Sequence, residues 1–152
     1  MTPGPIRRVV VADKVALIHR LLDGIATLPL DDLREFQRDP RMVAAAESYL
    51  RRALEALLDI ARHVLARAFG RGATEYAEVA RQLGDVGVVS PGQAERLVLM
   101  ARYRNRLVHM YDEVTEPELY DVLTRHLADV PEIVDAVTAW MAAHPDRVTD
   151  EE

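Results

Sequence analysis

Arg104, Asn105, His109 and Tyr111 fall within eight consecutive residues, and together they could work on a phosphodiester. Cleaving RNA without a metal needs a base for the 2′-hydroxyl proton, a cation for the phosphorane and an acid for the leaving oxygen. Histidine changes charge near neutral pH, which suits His109 to either proton transfer. The planar fork of Arg104 suits a phosphate group. Asn105 could orient His109 or bind a phosphate oxygen. Arg102 and Arg106 flank the set and offer two further cations for RNA phosphates. Tyr111 follows Arg104 by seven residues, on nearly the same side of a helix.

The spacing limits how these groups can cooperate. Arg104 and His109 diverge by about 140° on a straight helix. They cannot readily grip one small group from a single regular helix. Asn105 and His109, one turn apart, can. The helix predicted from Ser90 carries an apolar stripe of Ala94, Leu97, Val98, Ala101 and Val108. Asn105 lies on the middle of that stripe, with Arg104 and His109 near its edges. A guanidinium beside a core face costs several kcal/mol of desolvation unless it is paired. Such a conflict between local pattern and burial marks a candidate site. Two arrangements resolve the spacing. Either the helix ends or bends near Val108 and swings His109 round, or the stripe packs against a second copy so that two edges join. A homodimer also supplies two histidines, one for each proton transfer, and is the preferred arrangement.

The elements that must position this set read as helices throughout. Val11, Val15, Ile18, Leu22 and Ile25 mark a helix over about Arg8 to Leu28, ended by Pro29. Asp31–Arg38 reads as a short helix or turn. Asp39-Pro40 is an N-cap followed by proline at the first helical position. It opens a long helix from Pro40 to Phe69, stopped by Gly70. Ala46, Leu50, Ala53, Leu57, Ile60 and Val64 form its core line, and Arg52, Glu55, Asp59, Arg62 and His63 its polar stripe. That stripe is either a solvated face with paired charges or the side from which Asp59 or Glu55 holds Arg104. Thr74 is expected to cap a helix from Glu75 to Leu83. Ser90-Pro91-Gly92-Gln93 is a capping-box start for the motif helix, which should end at about Tyr111 to Asp112. Thr115 to Glu118 reads as a second capping box. The helix that follows should kink or break at Pro131. No strand is expected. Residues 1–7 and 144–152 read as loose ends of one domain spanning residues 1–152. The fold class is all-α, an up-and-down bundle of four to five helices.

Arg104-Asn105-Arg106-Leu107-Val108-His109-Met110-Tyr111 resembles the R-x4-H-x-Y motif of HepT-like proteins, HEPN-type helical ribonuclease toxins. The resemblance continues through Leu83–Val89 and Leu97–Ala101. It is fainter in Leu50–Val64, where Asp59-Ile60-Ala61-Arg62-His63 is the recognisable part, and it spans roughly Val10 to Met141. It implies an HEPN-like bundle and the toxin of a toxin–antitoxin pair. It also implies metal-independent endonucleolytic cleavage of RNA by Arg104 and His109, with Asn105 in support. An acid on the long helix is implied too, and Asp59 is the first candidate. The implied partner is a minimal, MntA-like nucleotidyltransferase antitoxin that silences the toxin by AMPylation of Tyr111. The alternative is a non-catalytic HEPN-like protein that binds a nucleotide or a protein partner.

Composition sets the remaining bounds. With 152 residues the chain is one domain's worth. It has no cysteine, hence no disulfide or thiolate metal site, which fits a cytoplasmic protein. No apolar run suits a membrane span or a signal peptide. The net charge of −6 argues against a broad nucleic-acid-coating face. His19, His63, His126 and His144 form no paired E-x-x-H pattern, and Asp59 with His63 would make a poor two-ligand metal site. There is no phosphate-cradling glycine loop, and no cofactor is expected.

Overall fold

The computed structural model describes residues 4–151. The order is β1 (Ile6–Arg7), α1 (Arg8–Ala26), α2 (Leu33–Gln37), α3 (Pro40–Phe69), α4 (Tyr76–Asp85), α5 (Pro91–His109), α6 (Glu116–Asp121), α7 (Asp129–Ala143) and β2 (Val148–Thr149). The described residues therefore hold seven α-helices, more than the four to five expected, because short segments at Leu33 and Glu116 are helical in their own right.

The 30-residue α3 is the axis of the bundle. Asp39 caps it by accepting from the Arg41 N–H at 3.0 Å. Gly70 ends it in the left-handed region at φ 63°, where a side chain would be strained. The N–H of Arg71 then returns to the Leu65 carbonyl at 3.1 Å, which satisfies one of the last carbonyls of the helix. Leu50, Leu57, Leu58, Ile60, Val64 and Leu65 of α3 are at most 1% exposed. Helices α1, α4 and α5 pack around this core line.

Helix α5 starts as its sequence demands. Ser90 Oγ accepts from the Gln93 N–H at 3.1 Å, and Gln93 Oε1 accepts from the Ser90 N–H at 2.9 Å. Its close approach to α4 depends on Gly84, where an added Cβ would lie 2.6 Å from the Ala94 Cβ. Helix α4 begins one residue later than expected, with Glu75 as an N-cap that makes no side-chain bond. Thr74 does not cap it; the Thr74 carbonyl instead accepts from Arg62 Nη2 at 2.9 Å.

The second capping box forms only by half. Thr115 Oγ1 accepts from the Glu118 N–H at 3.3 Å, but the Glu118 carboxylate is drawn away by Arg106. The last helical stretch does break ahead of Pro131. Residues Val122–His126 widen into a π-helical turn between α6 and α7. A proline ring crowds the carbonyl four residues earlier, here that of Leu127, so the chain loosens on that side.

Both ends depart from expectation. Ile6–Arg7 and Val148–Thr149 pair as two short parallel strands, Ile6 opposite Val148. Ile6 is fully buried. Arg147 donates to the carbonyl of Ala68 at the end of α3, and its guanidinium lies over Phe69. His63 Nε2 accepts the N–H of Arg7 at 3.0 Å. The segments are too short to show as strands by periodicity, and α3 is what they fasten to. Residues 1–3 and 152 of the expected loose ends lie outside the described residues. Among the described residues no helix is long and apolar enough to cross a membrane.

Candidate active site

Arg104, Asn105 and His109 line one open cleft of about 510 Å³, together with Arg62, Thr74, Glu75, Tyr76 and Met110. Helix α5 ends at His109, and Met110 leaves helical geometry at φ −136°, ψ 41°. The helix thus stops short of the expected end at about Tyr111 to Asp112, one residue past Val108 and close to where the first of the two arrangements placed an end or bend. His109 is exposed at this C-terminus.

Arg104 is held on α5 against α3. Its side chain is 21% exposed. Its Nε donates to Glu55 Oε1 at 3.2 Å, and its Nη1 donates to Asn105 Oδ1 at 3.1 Å. Glu55 Oε1 also accepts from Arg51 Nη1 at 2.9 Å. Among the described residues Nη2 of Arg104 has no hydrogen-bond partner. The guanidinium is thus paired, yet keeps an edge for an incoming oxyanion.

The acid that touches Arg104 is therefore Glu55, not Asp59. Residues 55 and 59 lie one turn apart on the same stripe, and only the position of α5 along α3 selects between them. Asp59 serves a different neighbour. Its Oδ1 accepts from the Tyr76 hydroxyl at 2.8 Å, and its Oδ2 lies 3.7 Å from Lys14 Nζ of α1. Arg62 Nη1 stands 3.6 Å from Asp59 Oδ1. Asp59 and His63 do not share a ligand position, since His63 is committed to the Arg7 N–H. Burial, then the charges of Arg67 and Arg7, hold the His63 imidazole below its ordinary pKa.

Asn105 also differs from expectation. It is half-buried, and its carbonyl oxygen orients Arg104 rather than His109. The buried line of α5 runs through Ala94, Leu97 and Ala101 and then turns to Tyr103 and Leu107, leaving Val108 half-exposed. The flanking arginines do not join the cleft. Arg106 forms a forked pair with Glu118 on α6, with Nη2 at 2.9 Å from Oε2. That pair holds the Glu118 carboxyl below its usual range. Arg102 is exposed on the side of α5 away from Arg104 and lines two other surface hollows. Tyr111 begins a short 3-10 turn over Tyr111–Glu113; its side chain lies outside the described residues.

Two cleft residues were not visible in the motif. The Tyr76 ring has the Arg104 guanidinium over it at 5.0 Å and that of Arg62 at 4.6 Å. Both distances are within cation–π range. Burial, followed by the Asp59 hydrogen bond, raises the Tyr76 pKa and keeps the phenol a donor. Tyr76 opens a helix 28 residues before Arg104, and no local pattern links the two. Arg62 carried a weak signal, as part of the Asp59–His63 run.

Comparisons with known proteins bear on the family and the fold. A family model described as "Ribonuclease HepT-like" matches residues 18–137. A tRNA nuclease HepT of Aphanizomenon flos-aquae is 24% identical over 137 residues, covering 90% of this chain and 92% of that protein. A tri-AMPylated HEPN toxin of Shewanella oneidensis, solved in complex with MNT antitoxin, superposes with a TM-score of 0.78 at 24% identity. The match covers 86% of this chain and 97% of that one. YutE of Bacillus subtilis, a cytosolic protein of unknown function, superposes with a TM-score of 0.79 at 18% identity, over 96% and 98% of the two chains. At these identities the structural likeness shows the fold.

Proposed function

The chain belongs to the HepT-like ribonuclease family, and from that premise we propose that it is the toxin of a toxin–antitoxin pair, acting as a metal-independent endoribonuclease. His109 moves the protons, Arg104 steadies the charge that develops on the phosphate, and Asn105 holds Arg104 in place. The 2′-oxygen attacks phosphorus as it loses its proton to a base, and the bond to the leaving oxygen breaks as an acid protonates it. All the groups this requires are side chains of the motif. One copy offers one motif histidine and two copies offer two, so the working form is a homodimer with RNA as substrate. The name of the curated relative makes tRNA the first substrate to try.

The observation that carries this reading is the meeting of Arg104 and His109 in one cleft despite their spacing. The partner is an MNT or MntA-like nucleotidyltransferase antitoxin, as the solved relatives suggest. It silences the toxin by transferring AMP to Tyr111. The added phosphate places negative charge near Arg104, where the substrate phosphate belongs. Mass spectrometry after co-expression with such an antitoxin should find Tyr111 carrying AMP, and an unmodified Tyr111 counts against the silencing step.

The test of the enzyme itself is His109→Ala. Purified protein in EDTA should cleave tRNA, and the variant should lose at least about a hundredfold in rate. Growth inhibition on expression should disappear with it. Cleavage that survives the substitution undiminished removes His109 from the chemistry, and a wild-type protein that cleaves no RNA leaves the reading of a helical binding protein.

A further inference from the structure

We infer that the Tyr76 ring is a positioning element for Arg104: it sets the plane of the guanidinium so that the free edge faces the cleft. Arg104 is restrained in two directions by hydrogen bonds, Nε to Glu55 and Nη1 to Asn105. Both bonds resist large rotations of the guanidinium but tolerate a small tilt of its plane, since a hydrogen bond weakens steeply only at large misalignment. The guanidinium lies over the Tyr76 ring, Cζ 5.0 Å from its centroid, and contact with the ring opposes that tilt. The ring is itself fixed from a second helix. Its hydroxyl donates to Asp59 Oδ1 at 2.8 Å, and Asp59 is steadied by Lys14 of α1. Arg62, over the same ring at 4.6 Å, is held by the Thr74 carbonyl. The chain Lys14–Asp59–Tyr76–Arg104 thus ties α1, α3, α4 and α5 to the orientation of one cation. A small misplacement of a group that stabilises the transition state lowers turnover more than substrate binding.

Two variants separate the ring from its hydroxyl. Tyr76→Leu removes the aromatic face, and Tyr76→Phe keeps the face while releasing Asp59. The first readout needs no RNA. In the proton NMR spectrum the Arg104 side-chain resonances should be shifted upfield by the ring in the wild-type protein and in Tyr76→Phe, and should lose that shift in Tyr76→Leu. The second readout is kinetic, and it rests on the ribonuclease reading above. Tyr76→Leu should lower kcat about tenfold with KM within about twofold, and Tyr76→Phe should restore most of kcat. An Arg104 unshifted in the wild-type protein overturns the inference. So does a Tyr76→Leu variant with wild-type kcat, or a Tyr76→Phe variant as slow as Tyr76→Leu. If the wild-type protein cleaves no RNA, the ribonuclease reading fails by itself, and the ring-current shift still decides whether Tyr76 holds Arg104.

Discussion

Glu55 on α3 and Arg104 on α5, 49 residues apart in the chain, meet at 3.2 Å between Oε1 and Nε. Their side chains are 25% and 21% exposed, so the pair is only partly screened by water. Glu55 satisfies a guanidinium that the packing of α5 would otherwise leave partly desolvated.

Removing Glu55 therefore has two consequences. Glu55→Ala should lower stability by roughly 1–3 kcal/mol, because Arg104 loses a charged hydrogen-bond partner where water reaches it poorly. It should also reduce RNA cleavage, since Arg104 is left with fewer restraints. Glu55→Gln keeps an oxygen acceptor and should fall between the wild-type and alanine proteins. Urea unfolding and initial cleavage rates measure both effects, and a fully active, fully stable Glu55→Ala contradicts this account.

Acid should loosen the paired ends through His63. Burial and the charges of Arg67 and Arg7 lower its folded pKa, so the unfolded chain binds the proton more readily. The stabilising contribution is complete above the unfolded value of about 6.5 and is lost as pH falls below it toward the folded value. A protonated Nε2 cannot accept the Arg7 N–H, which gives the effect a structural site. Unfolding free energies at pH 7.5 and 5.5 should differ less in His63→Gln than in the wild-type protein.

Gly84 should tolerate no side chain. Its Cβ would stand 2.6 Å from that of Ala94, and neither group can rotate away. Gly84→Ala should cost about 1–3 kcal/mol and spread α4 from α5. The reciprocal pair Gly84→Ala with Ala94→Gly should recover a good part of that loss. Thermal unfolding of the single and double variants reads the coupling directly.

Arg106 should prove structural rather than RNA-binding. Arg106→Gln should leave the rate of RNA cleavage unchanged and lower stability only slightly, as losing a partly exposed ion pair does. Because the pair depresses the Glu118 pKa, its contribution is present above the ordinary carboxylate range and fades as pH falls through the lowered value. A stability difference between the two proteins that vanishes in acid is the expected signature.

Much of this was legible in the amino-acid sequence. Pro40 to Phe69, the capping box at Ser90 and the break ahead of Pro131 come from signals carried within a few residues. The motif set Arg104 and His109 apart in the same way. Harder to read were the acid beside Arg104, the part played by Tyr76, the diversion of Arg106 to Glu118 and the fastening of both chain ends.

Helical phase and capping depend on hydrogen bonds and steric limits that span about four residues, so the amino-acid order alone determined which long segments coil and, to within a few residues, where they stop. Partners across the bundle depend on how far each helix is rotated and at what angle it crosses its neighbour. A shift of one turn would exchange Glu55 for Asp59 under Arg104 without altering a single local rule. That choice belongs to the packing of α3, α4 and α5 as a unit, because only there do close contacts such as Gly84 against Ala94 leave one position with room for every side chain.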